Sequence, residues 1–389
     1  MKYPFTQEVL DALPEEIASL FRQLEEDLLD EICSRLKIAD NLNEVTVQDI
    51  RALRGIGIDL EEIKKLIADR SKTSIDRLNT LFDEVVVRNQ VYFTELIDLA
   101  KVTQPEYIVS DKDIAAIISQ TKGELTNITQ SMGFLVRKGG KTVLLPPAKA
   151  YQNALDCADM QIMSGGINYS EAIKTAVKEL AGSGLRRVDY ESGHTDHVDV
   201  AVRRAVMTGI NQLCDKYTEQ SAEILDTKDY EVSAHIGARD TGTGWQNHKS
   251  WQGKVYSEGK GGKYPDIYEV CGLGYVDGLH GANCRHKRFP WVDGVSERTY
   301  TDEQLANIDP PPFEFEGKKY TAYEATQKQR QIERTVRKLT REEAAYKAAG
   351  LTEDAQDVLA RMRRLKAKYT EFSKKAGLPE QRERMKVLY

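Results

Sequence analysis

Apolar residues recur three and four positions apart along most of the chain, the pattern of helices that bury one stripe. From Pro14 the set Ile17, Leu20, Phe21, Leu24, Leu28, Ile32 and Leu36 forms one such face. Pro14 followed by Glu15 and Glu16 suits a first turn at the positive end of a helix dipole. The spacing predicts further helices over 60–68, over 74–99 (Ile75, Leu78, Phe82, Val85) and, past the break at Pro105, over 113–136. Gly139–Gly140 and Pro146–Pro147 punctuate the chain and leave Thr142–Leu145 as one strand of a hairpin. Helices follow over 148–164 and, after Gly165–Gly166, from a Ser170 cap through Ile173, Ala176, Val177 and Leu180 to Gly182 and Gly184. Leu185–Tyr190 reads as extended, and Val198, Val202, Val206, Ile210 and Leu213 predict a long helix from Asp196. Stripes of this length must be covered, either within a helical bundle or by docking on a large partner.

The pattern changes at Tyr230. Tyr230–Ala234 alternates like a strand, Lys254–Ser257 is a second short candidate and Pro265–Val270 a third. Short strands after a run of helices predict a mainly helical α+β fold with a small antiparallel sheet. Pro310–Pro312 is a rigid break, and Phe313–Tyr320 alternates around a glycine as a small hairpin. Thr321–Ala376 reads as two charged helices about Gly350, a helical hairpin projecting from the body. Three parts are therefore expected: an N-terminal helical region (1–145), a central α+β core (146–312) and a basic helical tail (313–389).

Composition narrows the class. With 389 residues, 40% hydrophobic and 30% charged, the chain is globular rather than disordered and long enough for more than one unit. No window approaches about 20 apolar residues, so no membrane span is expected. The N-terminus lacks the apolar core of a signal peptide. Five scattered cysteines argue against a disulfide framework and suit a reducing compartment. The net charge of -6 conceals an asymmetry: residues 321–389 hold 17 Lys+Arg against 10 Asp+Glu, which leaves 38 against 51 for residues 1–320. A basic end on an acidic body is either an interaction arm or a solvated charged helix.

Chemistry-bearing residues concentrate between His235 and Trp291, which holds all three tryptophans and the histidines His235, His248, His280 and His286. His280, Cys284 and His286 fall within seven residues among glycines, and Cys271, His248 or His235 is placed to supply a fourth ligand. Imidazole and thiolate together suit one structural zinc ion. The competing reading is histidines bonded to backbone and Cys284 as a small apolar group. A thiol nucleophile at Cys284 with a histidine and Asp277 is a further alternative, but no elbow surrounds it. There is no HExxH, P-loop or GxGxxG.

Four stretches resemble the phage minor capsid protein 2 family, related to the Mu- and SPP1-type minor head proteins. They are LRRVDYESGHTDHVDVAVRRAVMTGINQL, VSAHIGARDTGTGWQNHKSWQGKVYS, HGANCRHKRFPW, and YEATQKQRQIERTVRKLTREEAAYKAAG with KYTEFSKKAGL, spanning about 151–378. The third departs from the relatives' ending by one residue in the histidine spacing. Asp240 and His248 stand where relatives show cysteine pairs, which changes any ligand set. The resemblance does not imply catalysis. It implies a structural virion protein of the phage head, assembled in the host bacterial cytoplasm without a membrane. Its partners would be the portal protein and the major capsid or other head proteins, with a role in head morphogenesis. Contact with phage genomic DNA during packaging or ejection fits the same role. Arg361, Arg363, Arg364, Lys366 and Lys368 are then candidates to meet DNA phosphate or an acidic face of the portal. The rival reading is a metal-dependent nuclease or peptidase carried in the head, and a third is a toxin delivered with the virion.

Overall fold

The apolar stripes converge on one long helix, α7 (Val198–Ile224), which buries Val202, Val206, Ile210, Leu213 and Tyr217. Against it lie α2 (Glu15–Leu36), α3 (Leu60–Leu99) and α4 (Asp111–Gln130). The crossing is tight at Gly209, where a β-carbon would stand 2.2 Å from Thr121 Oγ1 and 2.8 Å from Phe82 Cζ. The computed structural model describes residues 3–36, 60–163, 169–188, 193–281 and 284–385. A short helix α1 (Gln7–Ala12), capped by Thr6, precedes α2.

Two helical expectations are corrected. α3 is one helix of 40 residues, not two. Across the gap left between them, Thr73 Oγ1 bonds the Asp69 carbonyl at 2.9 Å and Ser74 Oγ the Arg70 carbonyl at 2.7 Å, so these hydroxyls are satisfied within a continuous helix. The helix expected over 113–136 ends at Gln130, and its last part is a strand, β1 (Met132–Lys138). Ser131 caps the helix by bonding the Asn127 carbonyl at 2.8 Å. Gly133 then lets the Leu145 carbonyl approach to within 2.2 Å of where a β-carbon would stand.

β1 is central to a four-stranded antiparallel sheet with β2 (Lys141–Leu145), β3 (Leu185–Val188) and β4 (Thr195–His197), in the order β2-β1-β3-β4. The hairpin partner expected at Thr142–Leu145 is thus β2. α5 (Pro147–Met163) and α6 (Tyr169–Ser183) pack on β1. Gly165–Gly166, the Ser170 side chain and residues 189–190 of the expected extended piece lie outside the described residues.

A second, three-stranded sheet has the order β6-β5-β7, from β5 (Asp229–Val232), β6 (Val255–Ser257) and β7 (Arg288–Trp291). The strand expected at Pro265–Val270 is instead a short helix, α9 (Ile267–Cys271), because the Asp266 side chain accepts the Tyr268 N–H at 2.9 Å and caps it. The third strand is β7, which tolerates Pro290 because it lies at the sheet edge. α8 (His248–Trp251) and α10 (Asp302–Ala306) are single turns in the connecting loops.

At the C-terminal end β8 (Phe313–Phe315) and β9 (Lys318–Tyr320) form the expected hairpin. α11 (Ala322–Ala348) follows, started by a capping box between Thr321 and Glu324, and then α12 (Thr352–Ala376). The pair does not project. α11 packs on α2 and α6 and sends Ile332, Val336 and Leu339 into the same apolar core as Phe21, Phe82, Phe134 and Ile210. The fold is a mainly helical α+β body, and among the described residues no helix is long and apolar enough to cross a membrane.

Candidate metal centre

The second sheet closes over its own small core of Tyr230, Val232, Trp251, Tyr256, Ile267, Cys271 and Leu279. Beside this core the loops leaving β5 and entering β7 bring three ligand-type side chains together. One donor atom each from His248, Cys284 and His286 lies within 4.8 Å of the others. His248 is placed by α8. Cys284 and His286 are placed by the turn that enters β7.

The two imidazoles are oriented from behind. His248 Nε2 faces the Asp277 carbonyl at 3.0 Å, and His286 Nε2 faces Gln252 Oε1 at 3.1 Å. The same Oε1 accepts the backbone N–H of His235 at 3.0 Å, which identifies it as the amide oxygen. Both partners only accept, so Nε2 carries the proton in each ring and Nδ1 presents its lone pair. His286 Nδ1 stands 3.7 Å from Cys284 Sγ. A tetrahedral zinc with bonds of about 2.3 Å to sulfur and about 2.05 Å to nitrogen separates such atoms by about 3.6 Å. The His286–Cys284 pair therefore fits zinc in spacing and tautomer, with a His248 ring nitrogen within 4.8 Å of both.

The electrostatics agree with a neutral imidazole set. Burial lowers the pKa of His248 and His235 and holds His286 well below the ordinary histidine value. Burial raises the Cys284 thiol, so without a cation nearby it stays protonated and is a poor nucleophile. The Asp277 carboxylate is occupied by Trp245 Nε1 at 3.1 Å and Gln246 Nε2 at 2.6 Å. A Cys–His–Asp nucleophilic arrangement is therefore not assembled at Cys284.

The remaining sequence candidates lie elsewhere. His280 adopts a left-handed backbone (φ 62°) and turns its Nδ1 to Asp215 Oδ2 on α7 at 3.3 Å. Cys271 is fully buried in the small apolar core, where burial raises its thiol pKa. His235 stacks on His286 with ring centroids 4.5 Å apart and bonds the Ile236 carbonyl through Nδ1. Gln252 was not singled out by sequence reasoning, and Asp277 only as a carboxylate beside a thiol nucleophile, whereas it is its backbone carbonyl that meets His248. Each orients a histidine from far along the chain, so no local motif marks them.

On α12, Arg361, Arg363, Arg364 and Lys366 are exposed, and Lys368 is half-buried and paired with Glu316. Some acids that would balance them are engaged elsewhere: Asp354 pairs with Lys174 at 2.9 Å, and Glu371 with Lys375 at 3.9 Å.

Fold and site together define a helix-rich α+β protein that carries a buried histidine–cysteine knot beside a small sheet. The chain belongs to the phage minor capsid protein 2 family, whose model matches residues 5–374. A protein described as "Structural protein" from Lactococcus phage LL-H is 26% identical over 228 residues, 54% of this chain and 57% of the relative. The aligned region thus spans a little over half of that relative's length. No solved structure matches the chain.

Proposed function

We propose that this protein is a structural component of the phage head, positioned at the portal vertex or inner head surface and acting in head morphogenesis. The observation that carries the reading is the family match over 5–374, which takes in nearly the whole chain. Its partners in this reading are the portal protein and the major capsid or other head proteins, and its place is the virion assembled in the host cytoplasm. It is not an enzyme in this reading.

Two parts of the surface and core take roles within it. One zinc ion, held by His248, Cys284 and His286, ties the loops of the second sheet, and its role is to fix shape. The exposed face of α12 meets DNA phosphate or an acidic face of the portal through Arg361, Arg363, Arg364 and Lys366, with Lys368 at its edge.

Cross-linking mass spectrometry of purified particles tests the position. We expect lysine cross-links from this chain to the portal protein. Cross-links confined to tail proteins would refute the placement.

A further inference from the structure

A cleft of about 270 Å³ opens where the C-terminal end of α3, Tyr3, strands β5 and β7 and the turn after β7 meet. Aromatic rings form much of its wall. Tyr3 stacks on Phe289 with ring centroids 3.9 Å apart, and Tyr92 meets Phe289 edge-on at 5.7 Å. Trp291 joins them. Its Nε1 donates to Tyr264 Oη at 3.1 Å and to Asp293 Oδ1 at 3.0 Å, so the indole offers the cleft its ring and no free donor.

Glu231 of β5 brings a carboxylate to the same wall and is 4% exposed. It accepts the Tyr3 hydroxyl at 2.7 Å, the Thr299 hydroxyl at 2.8 Å and the Thr299 backbone N–H at 2.8 Å. All three donors are neutral, and among the described residues no basic side chain pairs with this carboxylate. Leu99, 53% exposed, and the exposed Glu297 are the solvent-facing residues of the lining, so the mouth carries a second carboxylate. The lining holds no cationic side chain. A buried carboxylate without a counter-charge is costly, and aromatic faces attract the partner that would relieve it, a cation.

We propose that this cleft binds a primary alkylammonium group, with Glu231 as its counter-charge and the rings of Tyr92, Phe289 and Trp291 around its alkyl stem. The hydrogen bonds already made decide between the organic cations. A carboxylate has about four lone-pair sites, and three are taken, which leaves one N–H to be accepted rather than the two of a guanidinium fork. The volume agrees: a cavity of about 150 Å³ holds benzene, so this one has room for a chain of roughly four carbons with its ammonium. Glu297 at the mouth draws the cation in. The cleft shares no residue with the histidine–cysteine knot or with the exposed face of α12. The ammonium is that of a free small amine or of a lysine side chain on a neighbouring protein.

Titration of n-butylammonium chloride against the full chain in amine-free phosphate buffer, followed by ligand-observed NMR, is the test. We expect saturable binding. n-Butanol, which has the shape without the charge, should bind at least about tenfold more weakly, the worth of one charge-assisted hydrogen bond, and Glu231→Gln should weaken the cation by a similar factor. Glu297 makes no hydrogen bond or ion pair among the described residues, so Glu297→Gln should fold as the parent does. It should weaken binding about two- to fivefold, the range of an exposed charge pair. Glu314→Gln, on β8, should leave binding unchanged. Competition by Nα-acetyl-lysine methylamide identifies a partner's lysine as the occupant, and failure to compete identifies a free amine. Absence of saturable binding by the parent overturns the proposal. So does n-butanol binding as tightly as the cation, or unaltered binding by Glu297→Gln or by a folded Glu231→Gln.

Discussion

At the scale of single residues, the histidine–cysteine knot is governed by what stands behind the rings. Gln252 is 2% exposed, and its amide oxygen holds both the His235 N–H and His286 Nε2. If zinc occupies the site, removing this support should loosen it by about 10–100-fold, the range for partners that orient a ligating histidine. Gln252→Ala should therefore release zinc to a chelating dye more readily than the parent, and Cys284→Ser should lose it altogether. A parent protein purified without zinc, with Cys284→Ser melting as the parent does, would remove the metal and leave a buried hydrogen-bonded cluster.

His197 gives a separate test of electrostatics. It precedes α7 and faces Arg186 at 3.2 Å. Burial first, then Arg341 and Arg186, push its pKa from 6.5 down to about 4. The unfolded chain takes up a proton below about 6.5 while the folded one does not, so this group's contribution is complete above that value and is lost as pH falls towards 4. His197→Gln should flatten the stability–pH curve in that window by at most about 1.4 kcal/mol per pH unit, read by urea unfolding at several pH values. An unchanged slope would mean that the imidazole titrates normally.

At the scale of elements, periodicity made α2, α7, the β8–β9 hairpin and the α11–α12 pair legible in the sequence. What it could not carry was the four-stranded sheet. β1 looks like the end of a helix because Met132, Phe134 and Val136 continue an apolar run, and its partner β3 lies some fifty residues away. β7 was hidden because Pro290 argues against a strand unless the edge position is known. Of the expected ligands, the concentration of histidine and cysteine pointed to the right loops. Which of them meet depends on turns such as the left-handed His280, whose outcome no spacing rule supplies.

α12 is the element whose proposed role is most exposed to test. If Arg361, Arg363, Arg364, Lys366 and Lys368 touch DNA, affinity should fall with salt by about one log–log unit per phosphate contact, without sequence preference. Replacing all five by alanine should abolish most of that slope in fluorescence anisotropy. Val358, Met362, Tyr369 and Phe372 hold the opposite face in the core, so the helix should persist in the variant. Equal binding by parent and variant at low salt would reduce α12 to a spacer.

At the scale of the whole molecule, the basic end is not an appendage. α11 shares the core of α2 and α7, and Arg341 on it pairs with Glu25 of α2 at 3.5 Å. The charge asymmetry visible in the sequence is thus carried on a body whose N- and C-terminal helices pack as neighbours.

The role in the head is tested most directly by absolute quantification of this chain in purified, DNA-filled particles of the phage that encodes it, with isotope-labelled peptides as standards. We expect it in every preparation, in far fewer copies than the major capsid protein and in constant ratio to the portal protein. Its absence from filled heads, or a copy number that tracks the major capsid protein, would contradict a minor capsid role at the portal.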